Sequence, residues 1–443
     1  PRAVDMTLRR ALELSPELNN EYESNPQTRE ILDTAMLFEG MPKNPTTHAA
    51  GVIISGEPIT DIAPLSKNED NVVVQYSKGN IELVGLLKFD FLGLRTLTVM
   101  KDTTDIIKNR YDVDVDFERM TMDDPEVFRM ICDGNTEGIF QLESSGMTNF
   151  MKELKPENIE DIIAGISLFR PGPMDAIPRY VAAKHDRSKI SFAHPLLGDI
   201  LDVTYGCIVY QEQVMRIVRD LAGFSMGQSD IVRRAMSKKK TSELAKYRSM
   251  FINGGVDEKG NVVEGAVKRG VPAGIAEAVF DDVLKFGGYA FNKSHAAAYA
   301  VIAYNTAWLK HYYPVEFMAS MLNSFMGDLE QAARYINACK KMGIDILPPD
   351  ITSSCDKFIP EGNKIRFALS AVKNVGNGLI CEVIKERDAN GRFVSFRDFI
   401  ERMIGRDINK KMIESLVKAS AFDSFGETRA TLMALIEPVI SNL

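Results

Sequence analysis

Gly287-Gly-Tyr-Ala-Phe-Asn-Lys-Ser-His-Ala-Ala-Ala-Tyr299 is the stretch on which the reading of this chain turns. Two glycines open it, a polar cluster of capping character follows, and an alanine-rich run then predicts a helix. Helical residues four apart share a face, so Phe291, His295 and Tyr299 form a stripe. Asn292 and Lys293 stand at the helix mouth. Rings beside a cation at a helix N-terminus suit a base pair and a phosphate group. Taken alone, such a stripe is more often core than site. Its surroundings have to decide.

With 443 residues the chain has room for about three domains. Its 45% apolar and 26% charged residues are those of an ordinary soluble globular protein. Cys132, Cys207, Cys339, Cys355 and Cys381 lack CxxC spacing, so they signal neither a disulfide framework nor a zinc site and fit a reducing cytoplasm. No apolar run reaches membrane-spanning length and no signal peptide is present, which predicts a cytoplasmic protein without a membrane partner. A first residue of Pro1 instead of Met predicts a segment of something longer. The net charge of −8 argues weakly against nucleic acid, yet distribution matters more than the total. From Arg233 to Arg248, seven cations face Glu243 alone, a segregation that can hide a basic groove.

Residues 1 to about 45 read as helices with an acidic face, ending near Gly40. Gly51–Ser55, Asn71–Tyr76 and Val84–Leu92 read as strands, and Gly93 introduces a helix from Thr96. Residues 101–130 read as a connector, with a helix start at Met122-Asp-Asp-Pro-Glu126. Helical periodicity then dominates to Met326, broken at Arg170-Pro-Gly-Pro173 and near Ser237 and Gly254. Leu347-Pro-Pro-Asp350 forbids a helix, and short helices and turns fill the remainder. No repeat of solenoid period appears.

Several motifs carry chemistry, each with a plainer rival. Lys88-Phe-Asp90 puts an acid and a base on one face of a strand end, as metal or phosphate chemistry requires and as a simple ion pair also does. His48 either supports that face or caps a strand. Asp112-Val-Asp-Val-Asp116 would place three carboxylates together on a strand, but its acidic neighbours favour a solvated surface. Arg170 precedes a rigid bend that can aim it at an anion. The run Arg233, Arg234, Lys238, Lys239, Lys240 is the strongest local charge signal, and it closes a helix where cations are favoured anyway. Val372-Lys-Asn-Val-Gly-Asn-Gly378 frees backbone N–H groups at a helix start, the physics of a helix-hairpin-helix turn. Ile408–Leu416 is a second such candidate.

In this order the segments resemble the bacterial replicative DNA polymerases of the C family, the alpha subunits of DNA polymerase III. The matching blocks are Thr47–Gly51, Lys88–Thr96, Gly138–Ser144, Phe169–Pro173, Tyr210–Gln213, Arg233–Lys240 and Phe291–Tyr299, so the resemblance covers essentially the whole chain. It implies a mixed α/β, mostly α fold. Residues 1–45 would end a thumb, 46–98 would close a palm built on a nucleotidyltransferase-type sheet, 99–343 would form fingers, and 344–443 a helix-hairpin-helix DNA-binding region.

The resemblance also assigns roles. Asp90 matches the third of three catalytic aspartates, a ligand of two Mg²⁺ ions, and Lys88 the basic residue beside it. The first two aspartates belong to a Pro-Asp-x-Asp-x-Asp-Phe motif that precedes the thumb and does not precede Asp90 in this sequence. Asp112–Phe117 mimics that motif on the wrong side of Asp90, so Asp112, Asp114 and Asp116 are rejected as ligands. Polymerisation is therefore expected of a longer chain and not of this stretch alone. Arg170, Arg233, Arg234, Lys238, Lys239, Phe291, Asn292, Lys293, His295 and Tyr299 would meet the deoxynucleoside triphosphate. Lys240, Lys373, Asn374, Gly376 and Gly378 would meet primer-template DNA. A sliding clamp and other replicase subunits are the further partners implied. The rival reading is a noncatalytic DNA-binding scaffold, against which the retained Lys88-Phe-Asp90 argues.

Overall fold

A computed structural model describes residues 6–41, 46–48, 50–68, 70–237, 241–257, 260–287, 289–406 and 408–441. The chain is mostly helical with a few small sheets and divides into two compact units, Pro1–Gly93 and Leu94–Leu443.

In the first unit, helices α1 (Leu8–Leu14), α2 (Pro16–Ser24) and α3 (Pro26–Phe38) follow one another with single-residue breaks. Thr7 caps α1, and Ser15 and Asn25 fill the two breaks, each accepting from N–H groups of the helix that follows; proline begins α2 and α3. Strand β1 (Gly51–Ile54) is followed by the hairpin of β2 (Leu65–Asn68) and β3 (Asn71–Val74), by α4 (Lys78–Leu83) and by β4 (Leu87–Asp90). β4 returns antiparallel to β1, with Gly51 opposite Asp90 and Ile53 opposite Lys88. Ala63, Ile81 and Leu86 form the small core. All three expected strand regions are shorter than predicted. Val84 and Gly85 close the turn after α4, where Gly85 has φ +76°. β2 escaped notice because Leu65-Ser-Lys-Asn68 lacks a β-branched run.

The second unit begins with α5 (Arg95–Tyr111), which fills much of the expected connector. Asp112 ends it in the left-handed region (φ 56°), and Asp112 to Asp116 form no strand. Helices α6 (Pro125–Cys132), α7 (Ser145–Leu154), α8 (Ile159–Leu168), α9 (Ile177–His185) and α10 (Gly198–Leu201) come next. Then follow α11 (Gln211–Ala222), α12 (Met226–Ser237) and α13 (Thr241–Asn253), a short hairpin of β5 (Gly255–Val256) and β6 (Val262–Val263), and α14 (Ala273–Gly287). Long α15 (Lys293–Tyr312), α16 (Pro314–Ser324) and α17 (Leu329–Lys341) precede a three-stranded sheet of β7 (Ile346–Leu347), β8 (Ile359–Glu361) and β9 (Lys364–Arg366). Helices α18 (Asn377–Asn390), α19 (Phe396–Met403), α20 (Lys410–Lys418) and α21 (Arg429–Ser441) end the chain around their own core.

α15 is the spine that positions the candidate site. Its 20 residues span about 30 Å. Ala296, Ala300, Ala303 and Ala307 are fully buried, and their small side chains let α8 approach closely. The alanines therefore take the core-facing stripe that the rings competed for. Tyr299 lies half-buried along its edge and His295 is exposed, whereas Phe291 is not helical as the spacing predicted: it precedes the Asn292 cap in a bridge to Tyr210, also half-buried.

Candidate nucleotide-facing site

At the end of β4, the two-residue period of a strand brings Lys88 beside Asp90, where the ammonium donates to the carboxylate. Phe89 and Phe91 take the opposite face and stack with centroids 6.3 Å apart. The Lys88 hydrogen bond, aided by nearby positive charge, holds the Asp90 carboxyl below its ordinary value of 3.8. His48 approaches the same oxygen at 3.8 Å. Its Nδ1 accepts from the Ala50 N–H, so a neutral ring carries its proton on Nε2, toward Asp90. Gly51 makes room for this convergence: a Cβ there would lie 2.9 Å from both His48 Nδ1 and Lys88 Cε.

In the second unit, Phe291 joins the Tyr205–Gln213 segment. Its N–H donates to Val209 and its carbonyl accepts from Gln211, a parallel bridge that ties the start of α15 to the start of α11. Gln213 is fully used in support, accepting from the Val209 and Tyr210 N–H groups and donating to Ile200 and Thr204. Arg170 lies over the Phe291 ring at 4.3 Å, and burial lowers its pKa. The bend that delivers it depends on Gly172, which has φ +103° and passes so close to Tyr289 that a Cβ would collide with the ring. His295 stands edge-on to Phe291 at 5.3 Å and lies 4.2 Å from Tyr299, whose ring meets Phe140 at 5.0 Å. A ladder of rings thus begins at a guanidinium.

The start of α15 is already engaged by carboxylates. Asn292 caps the helix, its side chain accepting from the His295 N–H at 2.9 Å. The Lys293 N–H donates to both oxygens of Glu212 at 3.3 Å. The Lys293 ammonium pairs with Glu160 at 2.9 Å and lies 5.4 Å from the Tyr210 ring centroid. The basic run is likewise less free than its composition suggests. Arg233 and Arg234 both pair with Asp230, which begins just outside the window that seemed unopposed, and Arg233 also donates to Gln211. Asp281, distant in sequence, folds back onto Arg248. Lys238, Lys239 and Lys240 lie outside the described residues.

In the C-terminal part, Lys373, Asn374 and Gly376 are exposed on the turn before α18, and Gly378 is exposed in its first turn. Asn374 adopts φ +66° and donates its side-chain N–H to Ser415 on α20, which ties this turn to the second candidate. Asn409 caps α20 by accepting from the Met412 N–H. The acidic segment is a surface: Lys108 pairs with Asp112 and Asp114, and Asp116 pairs with Arg119.

Three sequence families match in succession. The bacterial DNA polymerase III alpha NTPase domain covers residues 1–93, the finger domain of the same subunit covers 96–259, and a helix-hairpin-helix motif covers 343–432. The DNA polymerase III subunit alpha of Thermus aquaticus is 44% identical over 98% of this chain and 35% of its own length. That of Bacillus subtilis is 39% identical over 100% of this chain and 39% of its own length, and that of Chlamydia pneumoniae is 41% identical over 98% and 34%. The chain belongs to the bacterial DNA polymerase III alpha family. It spans between 34% and 39% of the length of these curated relatives.

The structure brings Arg170, Arg233, Phe291, Asn292, Lys293, His295 and Tyr299 around the start of α15, with Arg234 held beside Arg233 by Asp230; Arg170, Arg233 and Arg234 lie inside the matched finger segment and residues 291–299 beyond its end. Lys88 and Asp90 belong to the other compact unit, and the Lys373–Gly378 segment to a separate helical core. Sequence reasoning missed Glu160, Asp230 and Phe140, and gave Glu212 no role. Glu212 carries a weak signal, since an acid in the first turn of a helix is favoured there. Nothing local connects it to Lys293, 81 residues away.

Proposed function

We propose that this chain forms part of a template-directed DNA polymerase that adds deoxynucleotides to a primer 3′ end during chromosome replication. Its residues 1–45 would end the thumb, 46–98 close the palm, 99–343 form the fingers and 344–443 grip duplex DNA. The observation that carries the reading is the meeting of Arg170, Lys293 and the Phe291–His295–Tyr299 rings at one helix start. A flat ring face tests the shape of a base pair without reading sequence, and adjacent cations suit a triphosphate. Lys373, Asn374, Gly376 and Gly378, with Lys240, would contact the DNA backbone. The clamp and other replicase subunits would bind the same cytoplasmic enzyme outside these surfaces.

Asp90 fits Mg²⁺ as a hard oxygen donor that is ionised and accessible. Among the described residues no group of three acids, histidines or cysteines gathers around a common point, so Asp90 fits as one ligand of a shared set. Bound Mg²⁺ supplies positive charge for the primer hydroxyl and the pyrophosphate leaving group. Lys88 would pass from Asp90 to phosphoryl oxygens, while Arg170, Lys293, Arg233 and Arg234, with Lys238 and Lys239, neutralise the triphosphate. In the full-length polymerase, Asp90→Ala should abolish single-turnover incorporation while primer-template binding persists. Measurable extension by that variant removes Asp90 from the chemistry. His295→Ala and Tyr299→Ala should raise the nucleotide KM more than they change DNA affinity; an unchanged KM returns the stripe to a packing role.

A further inference from the structure

Glu160 and Glu212 come from different helices and meet at one residue. Glu160 lies in the first turn of α8 and Glu212 in the first turn of α11. Both serve Lys293, one at the ammonium and one at the backbone N–H. Their neighbours have other partners: Asp161 is buried against Lys184, and Gln213 is consumed by the loop before α11. Each acid stands where the N-terminus of its own helix favours a carboxylate. Glu212 puts its carboxylate oxygens near the first N–H of α15, where a phosphate oxygen would stand, and Glu160 puts one on the ammonium that a phosphate would also seek.

We propose that Glu160 and Glu212 are internal stand-ins for phosphate, positioning residues that hold Lys293 and the start of α15 until a nucleotide triphosphate displaces them. The inference rests on the reading of Lys293 as a triphosphate contact. Glu160 is the more easily displaced, because its side chain is 60% exposed and that of Lys293 is 38% exposed. An exposed pair of this kind shifts an equilibrium by about two- to fivefold. That is enough to weaken binding of a lone anion but little against a triphosphate whose base also packs on the rings. When pyrophosphate departs, Glu160 recovers the ammonium and opposes rebinding of the product. The resting site is thereby kept ordered and biased against small anions.

The test uses the full-length polymerase, with steady-state incorporation and product inhibition by pyrophosphate as readouts. Glu160→Gln should lower the nucleotide KM and the pyrophosphate inhibition constant by about two- to fivefold each, without raising kcat. Glu160→Asp keeps the charge and should stay near wild type. A purely structural Glu160 would instead raise KM when replaced. Lys293→Ala separates the two levels of the argument. If it leaves the nucleotide KM unchanged, Lys293 does not meet the triphosphate and the underlying reading falls. If it raises KM but Glu160→Gln alone changes neither constant, only the stand-in role falls. In the Lys293→Ala background, Glu160→Gln should have no further effect. A persistent gain there would mean general charge removal and would also overturn the proposal.

Discussion

At Asp90, the Lys88 ammonium two residues back keeps the carboxyl below 3.8. A group whose folded pKa is depressed contributes stability above its unfolded pKa and loses it as pH falls through the folded value. Asp90 therefore remains a carboxylate at neutral pH, ready to donate an oxygen, and its pair with Lys88 opens only in acid. Carboxyl-carbon NMR across a pH series should place its titration below 3.8 in the wild type. In Lys88→Ala the midpoint should move up toward that value; no movement would show that Lys88 is not the cause. Much of this was legible, because strand period alone puts positions 88 and 90 on one face. For His48 the sequence left two alternatives, support of that face or a strand cap, and its approach to Asp90 follows only from β1 lying beside β4 with glycine at position 51.

α15 shows how one helix serves two ends at once. Its buried alanines accept α8, and the rotation this imposes leaves His295 and Tyr299 along the edge, where Phe291, held before the helix by its bridge to Tyr210, meets His295. The stripe was visible from spacing, but its exposure was set by which neighbouring stripe offered the closer packing. Ala303→Leu adds volume where none is free and should destabilise the unit by about 1–3 kcal/mol in urea unfolding. Ala298→Leu, on an exposed position of the same helix, should stay within about 0.5 kcal/mol of wild type. Equal losses at both positions would contradict the packing argument. The aspartates at 112, 114 and 116 illustrate the opposite case. Their spacing fits a strand, but α5 runs to Tyr111 and ends in a left-handed residue, so the segment stays at the surface.

For the whole chain, a net charge of −8 coexists with a proposed hold on duplex DNA. Such binding depends on local cations and releases counterions, so it weakens with salt. Lys373→Ala, at the exposed turn before α18, should lessen the log–log salt slope of duplex binding by about one. An unchanged slope would remove Lys373 from the backbone contacts. Charge also marks where sequence reading stops. Composition along Arg233–Arg248 suggested an open basic face, but Asp230 and Asp281 occupy part of it. By itself the sequence determined what short-range physics controls: mostly helical segments, their caps, the shared face of Phe291, His295 and Tyr299, and the block order of the family. Tertiary structure alone decided which stripe of α15 is buried, that Arg170 covers Phe291, and that Glu160 and Glu212 reach Lys293. Periodicity and capping act within a few residues, whereas those contacts join helices whose separation along the chain leaves no local trace.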